Sequence, residues 1–453
     1  MDIVCSVHYY GLVGDNVLRQ GIKLYDHQKV SISLLENEEA FALFHDMGTG
    51  KTLTMLYHIA RLDIDSCLIV APKATMGAWE RDMSLFEGEA KKKLERIVTI
   101  VNYDLVWRRD EYNVPWDCLV LDESHYIKNR TSKRSKFLLQ LALKTKYRYI
   151  LTGTPTGNGQ LENIWSQYAF LYPSKGYRGT VSSDIFGSYS EFTKRYCILN
   201  RFFQPYRYVN VNELQDTIGE YSYRVAKEEC LDLPEKLPDV IYDIEQREKS
   251  KYKQMSKDSV IKEFELIADN PLSKMLRLRQ ICSGFITLDD RSIVELKNEK
   301  IKVLGEFLDD FDRKLVIFAD FKYSIKQITK LLVKKKIKHV VLDGDQKDKS
   351  VWRKFQSDES IRVIVCQYQS ANAGIDLYRA DTMIFYEPTR SSTILSQAKD
   401  RIHRIGQTQK CTYVHFLTKG SIERAIYKAL QGYQDFNEKL FEEYMEEYQK
   451  GGY

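Results

Sequence analysis

A chain of 453 residues with 43% hydrophobic and 29% charged side chains is long enough for two or three domains and too apolar for a disordered protein. Its 68 basic and 63 acidic residues leave a net charge of only +5, so a polyanionic partner is permitted but must be met by local patches. No apolar stretch approaches the roughly 18 residues of a membrane span, the start Met1-Asp2 lacks a basic leader, and the eight cysteines form no CxxC pair or Cys/His cluster at zinc spacing. The expectation is a cytoplasmic protein with reduced thiols and no membrane partner, at the nucleoid if bacterial or phage and with a nuclear setting left open.

After an N-terminal extension at 1–20, apolar runs alternate with amphipathic stretches: AFALF (40–44), CLIVA (67–71), IVTIV (97–101), CLVLD (118–122) and YRYIL (147–151). This rhythm predicts a parallel sheet covered by helices, in a first lobe at 21–157. Residues 158–300 are rich in Tyr, Phe and charge and read as a mostly helical protrusion and linker, with an extended segment at LDLPEKLPD (231–239). The aromatic side chains of residues 165–210 suit core packing more than base stacking. The rhythm returns in KLVIFAD (314–320), KHVVLD (338–343), IRVIVCQ (361–367), TMIFYE (382–387) and TYVHFL (412–417), giving a second lobe at 301–430 and a C-terminal helix at 431–453. The predicted fold class is α/β, with two lobes, each a mostly parallel sheet with helices on both faces, and a small helical insertion. Basic clusters such as Lys91–Lys93 and KNRTSKRSK (128–136) read as solvated faces unless a motif beside them says otherwise.

The run AFALF leads into His45-Asp46-Met47-Gly48-Thr49-Gly50-Lys51-Thr52 and then an amphipathic stretch, a strand, glycine loop and helix in succession. Gly48, Thr49 and Gly50 place backbone N–H groups around phosphate oxygens, Lys51 reaches the outer phosphates, and the Thr52 hydroxyl suits Mg²⁺. His45 stands where the strict pattern has a further glycine, so a turn without nucleotide remains an alternative. CLVL ends in Asp122-Glu123-Ser124-His125; two carboxylates at the end of a buried strand are costly without a cation. Asp122 is expected to hold Mg²⁺ through water and Glu123 to orient or deprotonate an attacking water. YRYIL leads into Thr152-Gly153-Thr154-Pro155, whose hydroxyls, with His125, are placed to sense the carboxylates. Near the other end, QAKDRIHRIGQ (397–407) puts Arg401 and Arg404 three apart, which on a helix sets both guanidinium groups on one face toward an anion; a structural ion-pair helix is the alternative.

With these four elements in order, the chain resembles the superfamily 2 helicases, specifically the SWI/SNF-type ATPases, over roughly residues 20 to 430. QAKDRIHRIGQ is similar to the family's last motif, DESH to its second, LTGTP to its third and DMGTGKT to its first; LYDHQ (24–28), LIVAPKATMGAW (68–79), LVIFADF (315–321) and SANAGIDL (370–377) align with further landmarks. The resemblance implies two RecA-like lobes, with ATP and Mg²⁺ as cofactors and with Lys51, Asp122, Glu123, Arg401 and Arg404 dividing catalysis between them. It makes Gln28 the adenine-reading glutamine and adds Gln397 to the nucleotide contacts. It implies translocation along duplex DNA through sequence-independent backbone contacts, with Pro72, Lys73, Asn102 and Tyr103 on the first lobe and Ser370, Ala371 and Asn372 on the second. Replication or recombination proteins are the partners such a compact motor suits. A strand-separating DNA or RNA helicase and a non-catalytic ATP-gated scaffold are the alternatives. The chain departs from the family pattern at Ser124 and at Asp376, where an Asn is common.

Overall fold

The computed structural model describes residues 17–73, 75–156, 160–201, 205–230, 233–346, 348, 350–371 and 375–450. The chain divides into two compact units: Met1–Pro155 with Glu162–Cys230, and Thr156–Leu161 with Leu231–Tyr453.

The first unit is built on strands β1 (Ala40–His45), β2 (Cys67–Ala71), β3 (Val98–Asn102), β4 (Cys118–Asp122), β5 (Tyr147–Leu151) and β6 (Ser222–Val225), in spatial order β6-β1-β5-β4-β2-β3. Every pairing is parallel. Strands β1, β2 and β4 are buried at every position, as uninterrupted apolar runs must be in a sheet covered on both faces. Because all six strands run the same way, the segments after β1, β2, β4 and β5 emerge at one carboxyl edge, where open α/β sheets bind ligands. Helices α1 (Asp26–Leu35), α2 (Lys51–Arg61) and α3 (Met76–Met83) flank the sheet. The aromatic stretch of the protrusion is largely core: helix Ile164–Leu171 is buried at every position, and Tyr168, Phe186, Phe192 and Tyr196 meet through tilted and edge-on contacts of 5.1–6.0 Å.

The second unit repeats the architecture with β7 (Val240–Ile244), β8 (Leu315–Ala319), β9 (His339–Leu342), β10 (Val363–Gln367), β11 (Thr382–Phe385) and β12 (Thr412–Thr418), in order β7-β12-β11-β8-β10-β9, again all parallel. Helices α4 (Ser392–Lys399), α5 (Ile422–Gln431) and α6 (Glu438–Gln449) follow. The last helix packs back onto this unit: Phe441, Tyr444 and Met445 share a core with Met275 and Leu278, and the Tyr252 and Tyr444 hydroxyls lie 2.9 Å apart. Lys300 and Glu423 form a buried ion pair at 2.5 Å, with Lys300 Nζ also donating to Tyr386 O and Glu423 Oε2 accepting from Thr418 N. Removing one partner of so enclosed a pair costs about 3–5 kcal/mol.

The stretch 158–300 differs from a single helical insertion. From Glu162 through Cys230 it belongs to the first unit and carries two antiparallel hairpins and β6; from Leu231 onward it belongs to the second and contributes β7. Among the described residues no helix is long and apolar enough to cross a membrane, and the cysteines Cys67, Cys118, Cys197, Cys230, Cys282, Cys366 and Cys411 are free thiols.

Candidate functional site

The glycine loop leaves β1 at His45 and enters α2 at Lys51. Gly48 and Gly50 have φ of +86° and +83°, a region that glycine enters without a Cβ clash. Gly50 is required twice over, since a Cβ there would lie 2.3 Å from Gln28 Nε2. The loop is held by its own polar groups: Lys51 Nζ donates to His45 O at 2.6 Å and Asp46 O at 3.0 Å, and Thr49 Oγ1 donates to Asp46 O at 2.9 Å. Gln28 is buried, with its amide oxygen accepting from Tyr25 N and its amide nitrogen donating to Gly50 O at 3.2 Å. The expected adenine reader therefore grips the phosphate loop in this structure. Thr52 lies half-buried in the first turn of α2, next to Lys51.

Asp122 ends β4 with its Oδ2 accepting from Thr75 Oγ1 and Trp79 Nε1, each at 3.0 Å. Burial and the adjacent Glu123 push its carboxyl up to about 6, against the Trp79 hydrogen bond and the positive charge of Lys51. Its Oδ1 accepts no hydrogen bond from the described residues, so the carboxylate fits a hydrated divalent cation on that side. Among the described residues no group of three or more His, Cys, Asp or Glu side chains could hold a metal ion. Glu123 adopts a left-handed conformation, φ 52° and ψ 54°. Glu123 Oε2 lies 3.4 Å from Thr152 Oγ1 and 3.3 Å from His125 Nδ1, and Thr152 Oγ1 lies 3.3 Å from the same nitrogen while accepting from Thr154 N at 3.1 Å. His125, Thr152 and Thr154 are thus joined to Glu123 in one network. Gly153 lets this turn approach the glycine loop, since a Cβ there would lie 3.3 Å from His45 O. Ser124 is buried and donates to Gln167 Oε1 at 2.6 Å, which anchors the turn where the sequence required only a small residue.

In the second unit α4 stops at Lys399, so Arg401 and Arg404 stand on a tight turn and not on a helix. The two guanidinium groups nonetheless converge: both Nη1 atoms approach Ile375 O, at 3.4 and 3.3 Å, and Arg404 pairs with Asp376 at 2.5 Å. Arg401 is buried and Arg404 a quarter exposed. Gln407 closes the turn by donating to Tyr378 O, Ala380 O and Ile402 O. Gln397 is half-buried on α4.

Of the nucleic-acid candidates, Lys73 is exposed and Pro72 buried at the end of β2, where Pro72 O accepts from Thr75 N. Asn102 Oδ1 caps the following turn by accepting from Asp104 N and Leu105 N, and the buried Tyr103 donates to Asp122 O at 2.8 Å. These two side chains brace the acidic strand end in this structure, and neither is presented to a solvent-borne strand. Ser370 is half-buried in the short helix Tyr368–Ala371; Asn372 and the side chain of Ala371 lie outside the described residues. Two contacts of Asp122 escaped sequence reasoning, and Asp376 was noted there only as a departure from the family pattern. Thr75 and Trp79 lie one helical turn apart and both reach Asp122, and Asp376 engages Arg404; the i, i+4 spacing was the only signal for the first two.

The family model of the SNF2-related domain matches residues 89–284 and that of the helicase conserved C-terminal domain matches residues 299–406. The chain is 26% identical over 444 residues to the DNA annealing helicase and endonuclease ZRANB3 of Bos taurus, covering 90% of this chain and 40% of that protein. It is 25% identical over 438 residues to the SWI/SNF-related matrix-associated actin-dependent regulator of chromatin subfamily A-like protein 1 of Xenopus tropicalis, covering 91% of this chain and 44% of that one. The chain thus spans less than half the length of these curated relatives. Among solved structures it is similar to the Sulfolobus solfataricus SWI2/SNF2 ATPase core in complex with dsDNA, with 24% identity, a TM-score of 0.43, and coverage of 98% of this chain and 96% of that one. With both family models matched in this order along one chain, the protein carries an SNF2-related domain followed by a helicase conserved C-terminal domain.

Proposed function

We propose that the chain is a DNA-dependent ATPase that couples ATP hydrolysis to translocation along duplex DNA. The observation that carries this reading is the gathering of glycine loop, acidic pair and Thr152–Gly153–Thr154 turn at one sheet edge, with Glu123 already linked to Thr152 and His125. Residues 21–157 and 301–430 serve as its two ATPase lobes.

Outer phosphates entering the loop take over the Lys51 ammonium from the carbonyls of His45 and Asp46, exchanging neutral acceptors for charged ones. Thr52 and Asp122 are the residues that would hold Mg²⁺, which would supply charge neutralisation for phosphoryl transfer. Glu123 orients or deprotonates the attacking water, with Thr152 and His125 fixing its side chain. Arg401 and Arg404 supply positive charge where phosphoryl charge develops, and Gln28 and Gln397 complete the nucleotide contacts. Arg404 must exchange Asp376 for a phosphate oxygen to do so.

Pro72, Lys73, Asn102 and Tyr103 of the first unit and Ser370, Ala371 and Asn372 of the second are assigned to the DNA backbone. Asn102 and Tyr103 then act through the main chain they brace. The relatives named as a DNA annealing helicase and a chromatin regulator support DNA as the track; replication or recombination proteins are the partners that such a motor suits. The test is ATP turnover with duplex DNA, single-stranded DNA and RNA side by side. Duplex DNA is expected to stimulate most, and Lys51→Ala to abolish turnover. Stimulation by single strands or RNA alone would favour a strand-separating helicase, and full turnover in Lys51→Ala would overturn the ATPase assignment.

A further inference from the structure

The two carboxylate oxygens of Asp122 are unequal. Oδ2 takes two hydrogen bonds, from Thr75 Oγ1 and Trp79 Nε1, each at 3.0 Å, whereas Oδ1 accepts none from the described residues. The main chain of the same residue is held as well, with the buried Tyr103 donating to Asp122 O at 2.8 Å. All three donors belong to the first unit. A carboxylate pinned at one oxygen and at its own carbonyl cannot rotate without breaking charge-assisted bonds. Oδ1 is the atom left for a ligand.

One short helix places both side-chain donors. Thr75 stands at the N-cap of α3 and Trp79 one helical turn on, and from there both reach the end of β4. Trp79 is buried in the core cluster that contains Ile59, Ile69, Ala71 and Val120, which fixes the indole while its N–H, the ring's sole donor, meets the carboxylate. Thr75 is half-buried, and its hydroxyl lies 3.2 Å from Pro72 O as well as 3.0 Å from Asp122 Oδ2. A hydroxyl has one hydrogen, so the two acceptors compete for it, and the nearer, charged oxygen is the stronger. A threonine at an N-cap ordinarily bonds its side chain to the first turn of its own helix. Thr75 makes no such bond, so its hydroxyl serves Asp122 and not α3.

We infer that Thr75 and Trp79 are positioning residues for the divalent cation of the nucleotide: they hold Asp122 Oδ2 and so leave Oδ1 for the hydrated Mg²⁺. They act through Asp122 and touch neither nucleotide nor metal. The inference deepens the ATPase reading above and rests on it. Outer partners of a metal-binding carboxylate typically govern metal affinity by about 10- to 100-fold, because they fix the ligand's orientation before the ion arrives. The effect of removing them is expected in the metal-dependent part of nucleotide binding. The glycine loop should be spared, since the bonds among Lys51, His45, Asp46 and Thr49 involve neither residue.

The experiment measures the Kd of the full chain for a fluorescent, non-hydrolysable ATP analogue in excess EDTA and across a Mg²⁺ titration, together with the Mg²⁺ concentration that half-saturates turnover on duplex DNA. Thr75→Val keeps the shape of the side chain and removes the hydroxyl, Thr75→Ser retains the hydroxyl, and Trp79→Phe keeps a ring in the core without the N–H. Thr75→Val is expected to raise the half-saturating Mg²⁺ by about tenfold and to lose most of the gain in analogue affinity that Mg²⁺ gives the wild type, with the Kd in EDTA within about twofold. Thr75→Ser is expected to stay within about threefold of wild type in every readout, and Trp79→Phe to follow Thr75→Val. A wild-type Mg²⁺ requirement in Thr75→Val, an equal loss of affinity in EDTA, or a Thr75→Ser variant as impaired as Thr75→Val overturns the inference. A wild-type protein whose analogue affinity ignores Mg²⁺ and that releases no phosphate from ATP would instead defeat the ATPase reading beneath it.

Discussion

Glu123 sits at φ 52°, a conformation that costs a non-glycine residue about 1–3 kcal/mol and is retained here because it aims the carboxylate at Thr152 and His125. Glu123→Gln keeps the shape and removes the base, so nucleotide binding is expected within a few-fold of wild type and turnover lost; normal turnover would remove Glu123 from the mechanism. The sequence showed this residue through its place after an apolar strand, but not the left-handed turn, which depends on the packing of Ser124 against Gln167. Arg401 and Arg404 were legible as a pair, and the helix expected to align them was not needed, because both converge on Ile375 O from a turn. Asp376 is the residue whose role only the structure supplies. It pairs with Arg404 while both side chains are about a quarter exposed, and such pairs are worth about 0–1 kcal/mol. Asp376→Asn is therefore expected to raise DNA-independent turnover by no more than about fivefold and to shrink the factor by which DNA stimulates it. A basal rate unchanged or lowered would show that the pair does not restrain Arg404.

At the scale of elements, ten strands were readable as apolar runs, since strands buried on both faces leave no polar alternation to confuse the pattern. The two members of the six-stranded sheets that were not among those runs, Ser222–Val225 and Val240–Ile244, are edge strands with one buried residue each, Val225 and Ile244. Their sequences SYRV and VIYDI fit a partly exposed loop as well as a strand, and only the neighbouring strands β1 and β12 decide the matter. Strand β1 and helix α2 also carry a pH dependence. Burial, with the charges of Lys51 and His27, pushes the His45 imidazole down to about 3, and burial, with Arg61, pushes His58 down to about 4, both from an ordinary value of 6.5. Both rings are neutral when folded, so below pH 6.5 the unfolded chain takes up protons that the folded chain refuses. Their stability contribution is complete above pH 6.5 and drains as pH falls toward 4, by up to about 1.4 kcal/mol per pH unit for each histidine. Urea unfolding of the first unit's signal between pH 7.5 and 5 checks this, and His58→Gln is expected to lower the proton uptake by about one. A slope indifferent to His58 would contradict it.

For the whole molecule, the two sheet-based units were evident from the return of the apolar rhythm after residue 314, but the partition of residues 158–300 was not. Periodicity assigns local structure, whereas membership of a unit depends on which sheet edge a strand such as β6 or β7 joins. Backbone contacts to DNA imply that affinity falls linearly on logarithmic axes as salt rises, with little dependence on sequence. Lys73→Ala is expected to weaken duplex binding uniformly across sequences and to reduce that slope by about one; a sequence-selective loss would argue against a backbone contact. The central claim, that hydrolysis drives movement along an intact duplex, is tested most directly by triplex displacement. With ATP the protein is expected to strip a third strand from its duplex while leaving a forked duplex annealed, and Glu123→Gln to leave both substrates intact. A third strand left in place despite vigorous DNA-stimulated ATP turnover would contradict the account.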